Sequence, residues 1–213
     1  MAKIILCLLL FISCSSDIQK TKIEIKDNTK IYSTLTHYEL IKKLVKREIH
    51  HYEKMYIYND SIINKIVKLI VIGEQEFSID AFDTIALISI ESNWNFNARR
   101  MNTDSIDYGL TQQNSCCMID RYFQAEPILT KHKIDYNIRN RKDIALNIVS
   151  AYLFLNEIRS YLIKRKKYTR FRFITSYNTG YGASVGKRKL KRAIKYYQLF
   201  NQARVRIAQS PMK

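Results

Sequence analysis

The sequence predicts a mainly α-helical protein, and three observations carry that reading. Glycine and proline are scarce, at 5 and 2 of 213 residues, which argues against an all-β chain built on tight turns. Ile79, Ala81, Phe82, Ile85, Ala86, Leu87, Ile88 and Ile90 are apolar on nearly every side of a helix, the pattern of an element inside a core. Several other segments place apolar residues at helical spacing behind residues that cap helices. Aromatic residues make up 12% of the chain, so it can bury area and is not disordered by composition. The length suits one domain with extensions.

From the start, Lys3 precedes an apolar run from Ile4 to Ile12 that is too short to span a bilayer as a mature helix. Residues 1–13 therefore read as a signal peptide. Phe11-Ile12-Ser13-Cys14 resembles a bacterial lipobox, in which the leader is cut before a cysteine that becomes lipidated. That resemblance implies a membrane anchor at Cys14; an ordinary cleaved signal is the alternative, since Phe11 stands where leucine is usual. Residues 14–32 are polar and charged without a period, as in a tether.

Residues 33–77 read as an N-terminal helical extension. Thr36-x-x-Glu39 is a capping-box pattern, followed by Leu40, Ile41, Leu44 and Ile49 at helical spacing. His50, His51 and Glu53 lack the spacing of metal ligands. A second helix is expected from Asp60 or Ser61 through the apolar run Ile62 to Ile72, with Gly73 as a left-handed stop.

The all-apolar helix then runs into Glu91-Ser92-Asn93-Trp94-Asn95, where asparagines favour a helix end. A carboxylate that emerges from a core beside a cleft is desolvated, its pKa rises, and it suits a general acid. Taken alone, Glu91 reads as an ordinary helix-end carboxylate facing water. Its sequel carries more: Asn97-Ala98, Asn102-Thr103-Asp104, Asp107-Tyr108-Gly109-Leu110-Thr111-Gln112-Gln113-Asn114-Ser115, and later Ser176-Tyr177-Asn178-Thr179-Gly180. In this order the segments resemble the catalytic region of the lysozyme superfamily, and the last resembles the Tyr-Asn-x-Gly motif of its lytic transglycosylase (SLT domain) branch.

The resemblance implies a lysozyme-like α+β catalytic core over 78–186, with a loop and small β-hairpin from Asn93 to Ser115 beside the active-site cleft. It implies Glu91 as catalytic acid and then base on the β-1,4 bond between N-acetylmuramic acid and N-acetylglucosamine of peptidoglycan. Cleavage without water would leave 1,6-anhydromuramoyl ends. By position, Ser92 would orient Glu91 or its neighbours, Gln112 would bond a sugar, and Tyr177 and Asn178 would position the acid and the N-acetyl group. Asp107 stands where c-type lysozymes carry a second carboxylate, which keeps a hydrolysing muramidase as the alternative. Thr111 departs from the branch's Gly-Leu-Met-Gln pattern, which also leaves open a catalytically weak protein that only binds the wall. Trp94 is either a sugar platform or a core anchor. This chemistry requires no metal or organic cofactor.

Met118 to Ala125 reads as a short helix stopped by Pro127, and Lys131 to Lys142 as a charged connection in which His132 has no evident partner. Asp143 can cap a helix with Ile144, Ile148, Ala151, Leu155, Ile158 and Leu162 on one face, and Thr169 can start another through Tyr177 to Gly180. A basic C-terminal helix over 187–213 is expected to contribute Leu190, Ile194, Tyr197 and Leu199.

The formal net charge is +17. It reflects either attraction to a polyanion such as cell-wall polymer or a bias toward residues with A/T-rich codons, and by itself it does not make a nucleic-acid binder. None of the 4 cysteines has zinc-site spacing, and adjacent Cys116 and Cys117 bridge only with strain, so no disulfide framework is expected. The expected partners are peptidoglycan strands and a membrane reached through the anchor, in the bacterial cell envelope.

Overall fold

The computed structural model describes residues 36–180 and 187–209. The leader, Cys14 and the tether lie outside the described residues. The chain divides into two units, Met1–Leu40 and Ile41–Lys213, and the second holds almost everything described. The fold is mainly helical, with a small antiparallel sheet, as the scarcity of turn residues predicts.

Helix α1 (His37–His51) starts as the capping pattern predicts, with the Glu39 N–H donating to the Thr36 hydroxyl at 3.3 Å. Helix α2 (Asp60–Phe77) begins behind Asn59, whose side chain accepts from the Ile62 N–H. It does not stop at Gly73. The helix continues for one more turn, and Ser78 takes the left-handed cap with φ 51°. Gly73 matters for packing instead. A Cβ there would collide with the ring of Tyr152, so the glycine lets two helices approach closely.

Helix α3 (Ala81–Ser92) is capped by Asp80, and Asn93 ends it at φ 50°. Ala81 and the whole run from Asp83 to Ser89 are buried, so it is the central helix its composition predicts. Strands β1 (Arg99–Met101), β2 (Ile106–Tyr108) and β3 (Gln113–Asn114) follow as an antiparallel sheet in chain order. This is one strand more than the expected hairpin. Arg100 lies opposite Asp107, and Asp107 opposite Asn114. The chain turns at Gly109, φ 77°, where the Asn147 side chain approaches too closely for a Cβ.

Helix α4 (Ser115–Lys131) passes through Pro127 instead of stopping before it. Pro127 is exposed, while Met118, Tyr122, Ala125 and Leu129 bury the opposite face and carry the helix past the missing N–H. His132 has a partner after all, the Glu76 carboxylate at 2.8 Å. Helix α5 (Ile144–Lys164) is capped by Asp143, which accepts from the N–H groups of Ala145 and Leu146. Ile148, Ala151, Leu155, Ile158 and Leu162 are buried as expected; Ile144 is only half-buried. Helix α6 (Arg170–Thr179) is capped by the Thr169 hydroxyl and ends at Gly180, φ 76°.

Helix α7 (Lys187–Gln209) corrects the sequence reading most. Leu190, Ile194 and Leu199 are exposed and Tyr197 is half-buried; the buried stripe is Ala193, Tyr196, Phe200, Ala203 and Ile207. Those five follow a strict three–four spacing, whereas Leu190, Ile194 and Leu199 merely flank it. Two basic residues of α7 are also structural. Arg204 reaches buried Asp83 at 2.6 Å and Asp80 at 2.7 Å, and Arg206 donates to buried Glu48. Arg170 on α6 meets Asp83 as well. Glu48 in turn accepts from Ser89, which accepts from the Trp94 indole. Buried carboxylates persist only when paired and hydrogen-bonded in this way. Helices α1, α3 and α7 are thereby locked together, and Ile41–Lys213, which includes α2 and α7, forms one compact unit.

Candidate active site

Helix α3 delivers Glu91 from the core to the floor of a cleft of about 390 Å³, lined also by Arg100, Asp107, Gln112, Gln113, Tyr177, Asn178 and Arg192. The Glu91 side chain is only 2% exposed; the residue's remaining exposure lies in its main chain at the helix end. Burial is the main reason its carboxyl is pushed up from an ordinary 4.5 to about 7. The Asp107 charge adds to the rise, while a hydrogen bond from Tyr196 and the guanidinium groups of Arg100 and Arg192 oppose it.

The Tyr196 hydroxyl donates to Glu91 Oε1 at 2.5 Å. Burial and the neighbouring carboxylate hold this phenol well above its usual range, so it keeps its proton and remains a donor. On the other side, Arg100 Nη2 is 3.6 Å from Glu91 Oε2 and 3.0 Å from Asp107 Oδ2. One guanidinium therefore stands between the two carboxylates. Both oxygens of Asp107 are engaged, Oδ2 by Arg100 and Oδ1 by the Asn114 amide at 2.8 Å.

Of the residues predicted from the sequence, five meet in this cleft: Glu91, Asp107, Gln112, Tyr177 and Asn178. Gln112 is buried at φ 52°, with its amide donating to the Gly109 carbonyl at 2.9 Å. Tyr177 does not bond Glu91. Its hydroxyl donates to the Thr111 carbonyl at 2.8 Å and accepts from Gln113 at 2.7 Å, so it braces the β3 segment. Asn178 accepts from Arg192 at 3.1 Å.

Ser92 stays outside the cleft lining, and its hydroxyl donates to its own helix at Ile88, 3.2 Å away. Thr111 is fully buried, with its N–H and its hydroxyl both donating to Asn147 Oδ1, at 2.8 and 2.9 Å. The departure from the family pattern therefore falls on a side chain that does not line the cleft. Trp94 is 0% exposed, with its indole on Ser89 and its carbonyl accepting from the Tyr58 hydroxyl. It is a core anchor. It offers no face to a sugar.

Tyr196, Arg100, Gln113 and Arg192 are absent from the sequence-based site. Three of them left a trace. The spacing of Ala193, Tyr196 and Phe200 marks Tyr196 as buried, and a hairpin centred between Thr103 and Asp104 places Arg100 opposite Asp107. Gln113 adjoins Gln112 in the segment that carries the resemblance, and Arg192 left no trace. The Gln113 Oε1 atom is buried without a hydrogen-bond partner, although its amide nitrogen is fully used. It is an acceptor suited to a hydroxyl or amide N–H.

Chemically, a carboxyl with a pKa near 7 can give up a proton and take one back at neutral pH. The surrounding groups are hydrogen-bonding and charged, as a polar ligand would need. Among the described residues there is no cluster of histidine, cysteine or acidic side chains that could hold a metal ion. No family model matches the chain, and no curated protein matches its sequence.

Proposed function

We propose that the protein is a peptidoglycan lytic transglycosylase that cleaves the β-1,4 bond between N-acetylmuramic acid and N-acetylglucosamine. The observation that carries this reading is Glu91: a buried carboxyl near pKa 7, held by Tyr196, in a polar cleft with Gln112, Tyr177 and Asn178. Protonated Glu91 delivers its proton to the glycosidic oxygen as the bond to the departing sugar breaks. The resulting carboxylate then takes the proton of the muramoyl 6-hydroxyl while that oxygen closes on C1. The anhydro end forms and Glu91 is protonated again, with no water consumed.

The engagement of Asp107 supports this route over hydrolysis. A carboxylate tied at both oxygens to Arg100 and Asn114 is poorly disposed to attack a sugar, and serves better to fix Arg100 beside Glu91. Arg100 and Tyr196 stabilise the carboxylate in the interval between its two proton transfers. In this reading the chain works in the bacterial cell envelope, held by lipid at Cys14.

Purified peptidoglycan incubated with the protein, followed by mass analysis of the soluble products, tests the proposal. Anhydromuramoyl ends that disappear with Glu91→Gln are the expected result. Reducing ends would assign a hydrolase, and glycan binding without any product would assign a wall-binding protein.

A further inference from the structure

Cys116 and Cys117 lie in the first turn of α4, both exposed, with their sulfurs 3.0 Å apart. Cys117 also lines the cleft, yet the reaction proposed above uses no thiol. The turn that carries the pair is tied directly to the cleft wall. Asn114 accepts from the Cys116 N–H at 3.1 Å through Oδ1, and its amide donates to Asp107 at 2.8 Å. Ser115 accepts from the Ile106 N–H on β2 at 3.0 Å.

A bond between these sulfurs conflicts with the helix. Neighbouring Cα atoms are about 3.8 Å apart, whereas a disulfide normally spans about 4.4 Å or more. The linking peptide must leave helical geometry for the ring to close, and the Asn114 cap on Cys116 is lost with it. The geometry points to a reversible redox site: Cys116 and Cys117 close to an intrachain disulfide by exchange with a disulfide donor, opening the first turn of α4 beside the cleft.

In the first step one cysteine thiolate attacks a sulfur of the donor, forming a mixed disulfide and releasing one donor thiol. The second cysteine then attacks its neighbour's sulfur and releases the other donor thiol. The protein loses two electrons and two protons, and the donor gains both. The Cys117 thiol beside Cys116 raises the Cys116 pKa, so exchange quickens above neutral pH. Strain in the product makes it easy to reduce, so a dithiol restores the helix.

The test uses the full chain with oxidised glutathione at mildly alkaline pH, read by peptide mass and amide hydrogen exchange. The tryptic peptide Met101–Arg121 should become lighter by two hydrogens, carry no glutathione, and recover its mass with dithiothreitol. The Cys116 amide, which loses the Asn114 cap, and amides 118–120, which donate to the first-turn carbonyls, should exchange faster in the oxidised form. Cys116→Ser and Cys117→Ser should each stop at a glutathione adduct. A stable adduct on the unmodified peptide, a link between two chains, or no reaction would overturn the closure. Closure with unchanged exchange would overturn the opening of the helix. No readout involves turnover, so the result stands whether or not the proposed reaction is correct.

Discussion

Replacing Glu91 with glutamine should make the protein more stable at pH 8 than at pH 4, relative to the unmodified chain at the same pH. The carboxyl titrates at about 7 when folded and at an ordinary 4.5 when the chain is unfolded. Below 4.5 both states hold the proton and the residue is neutral toward stability. Between 4.5 and 7 only the unfolded state ionises, so folding loses free energy steadily. Above 7 the loss is complete, at about 3 kcal/mol for a separation of about two and a half pH units at about 1.4 kcal/mol each. Glutamine has the same shape and no charge to desolvate. The expected gain at pH 8 is therefore a few kcal/mol, or about 6–12 °C in Tm for a domain of this size. At pH 4 the two proteins should melt nearly together. Thermal unfolding by circular dichroism at both pH values measures the difference directly. An equal gain at both pH values, or a loss at pH 8, would refute the argument that burial strains the ionised carboxylate.

Tyr196→Phe removes a hydrogen bond that favours the charged carboxylate, so the Glu91 pKa should rise. Such bonds contribute about 1.5–3 kcal/mol, which moves the alkaline limb of the pH–rate profile from near 7 to about 8–9; an unmoved limb would show that Tyr196 does not tune the acid. Asp107→Asn should lower turnover moderately by loosening Arg100, with products still ending in anhydromuramic acid, and a collapse of activity would speak for a nucleophilic Asp107. Arg206→Met leaves Glu48, 0% exposed, without its cation and should cost about 3–5 kcal/mol in urea unfolding. Glu48→Gln in the same chain should recover part of that loss.

What could be read from the sequence was mostly local. Thr36, Asp143 and Thr169 cap helices because each side chain bonds an N–H within three residues, and no distant partner is needed. The central helix was legible because it is apolar all round. Gly73 misled because its reason lies on another helix, in the ring of Tyr152. Pro127 misled because packing of the opposite face outweighs one lost backbone bond. In α7 the aliphatic Leu190, Ile194 and Leu199 pointed to the wrong side, since the buried stripe interleaves small Ala193 and Ala203 with Tyr196, Phe200 and Ile207. The site divides in the same way. Glu91 and the motif residues follow from short stretches, whereas Tyr196 meets Glu91 across 105 positions of chain.

That separation has a consequence for the order in which the molecule is made. Tyr196, Arg204 and Arg206 serve Glu91, Asp83 and Glu48, and all three emerge from the ribosome after nearly everything they touch. Until they arrive, Glu48 has no guanidinium beside it, Asp83 lacks its second, and Glu91 lacks its phenol. A chain cut before residue 187 forfeits these partners at one stroke. The polypeptide's tail thus acts as the closing stitch of the cleft, and a half-made copy carries the motif without the setting that gives the glutamate its unusual proton affinity.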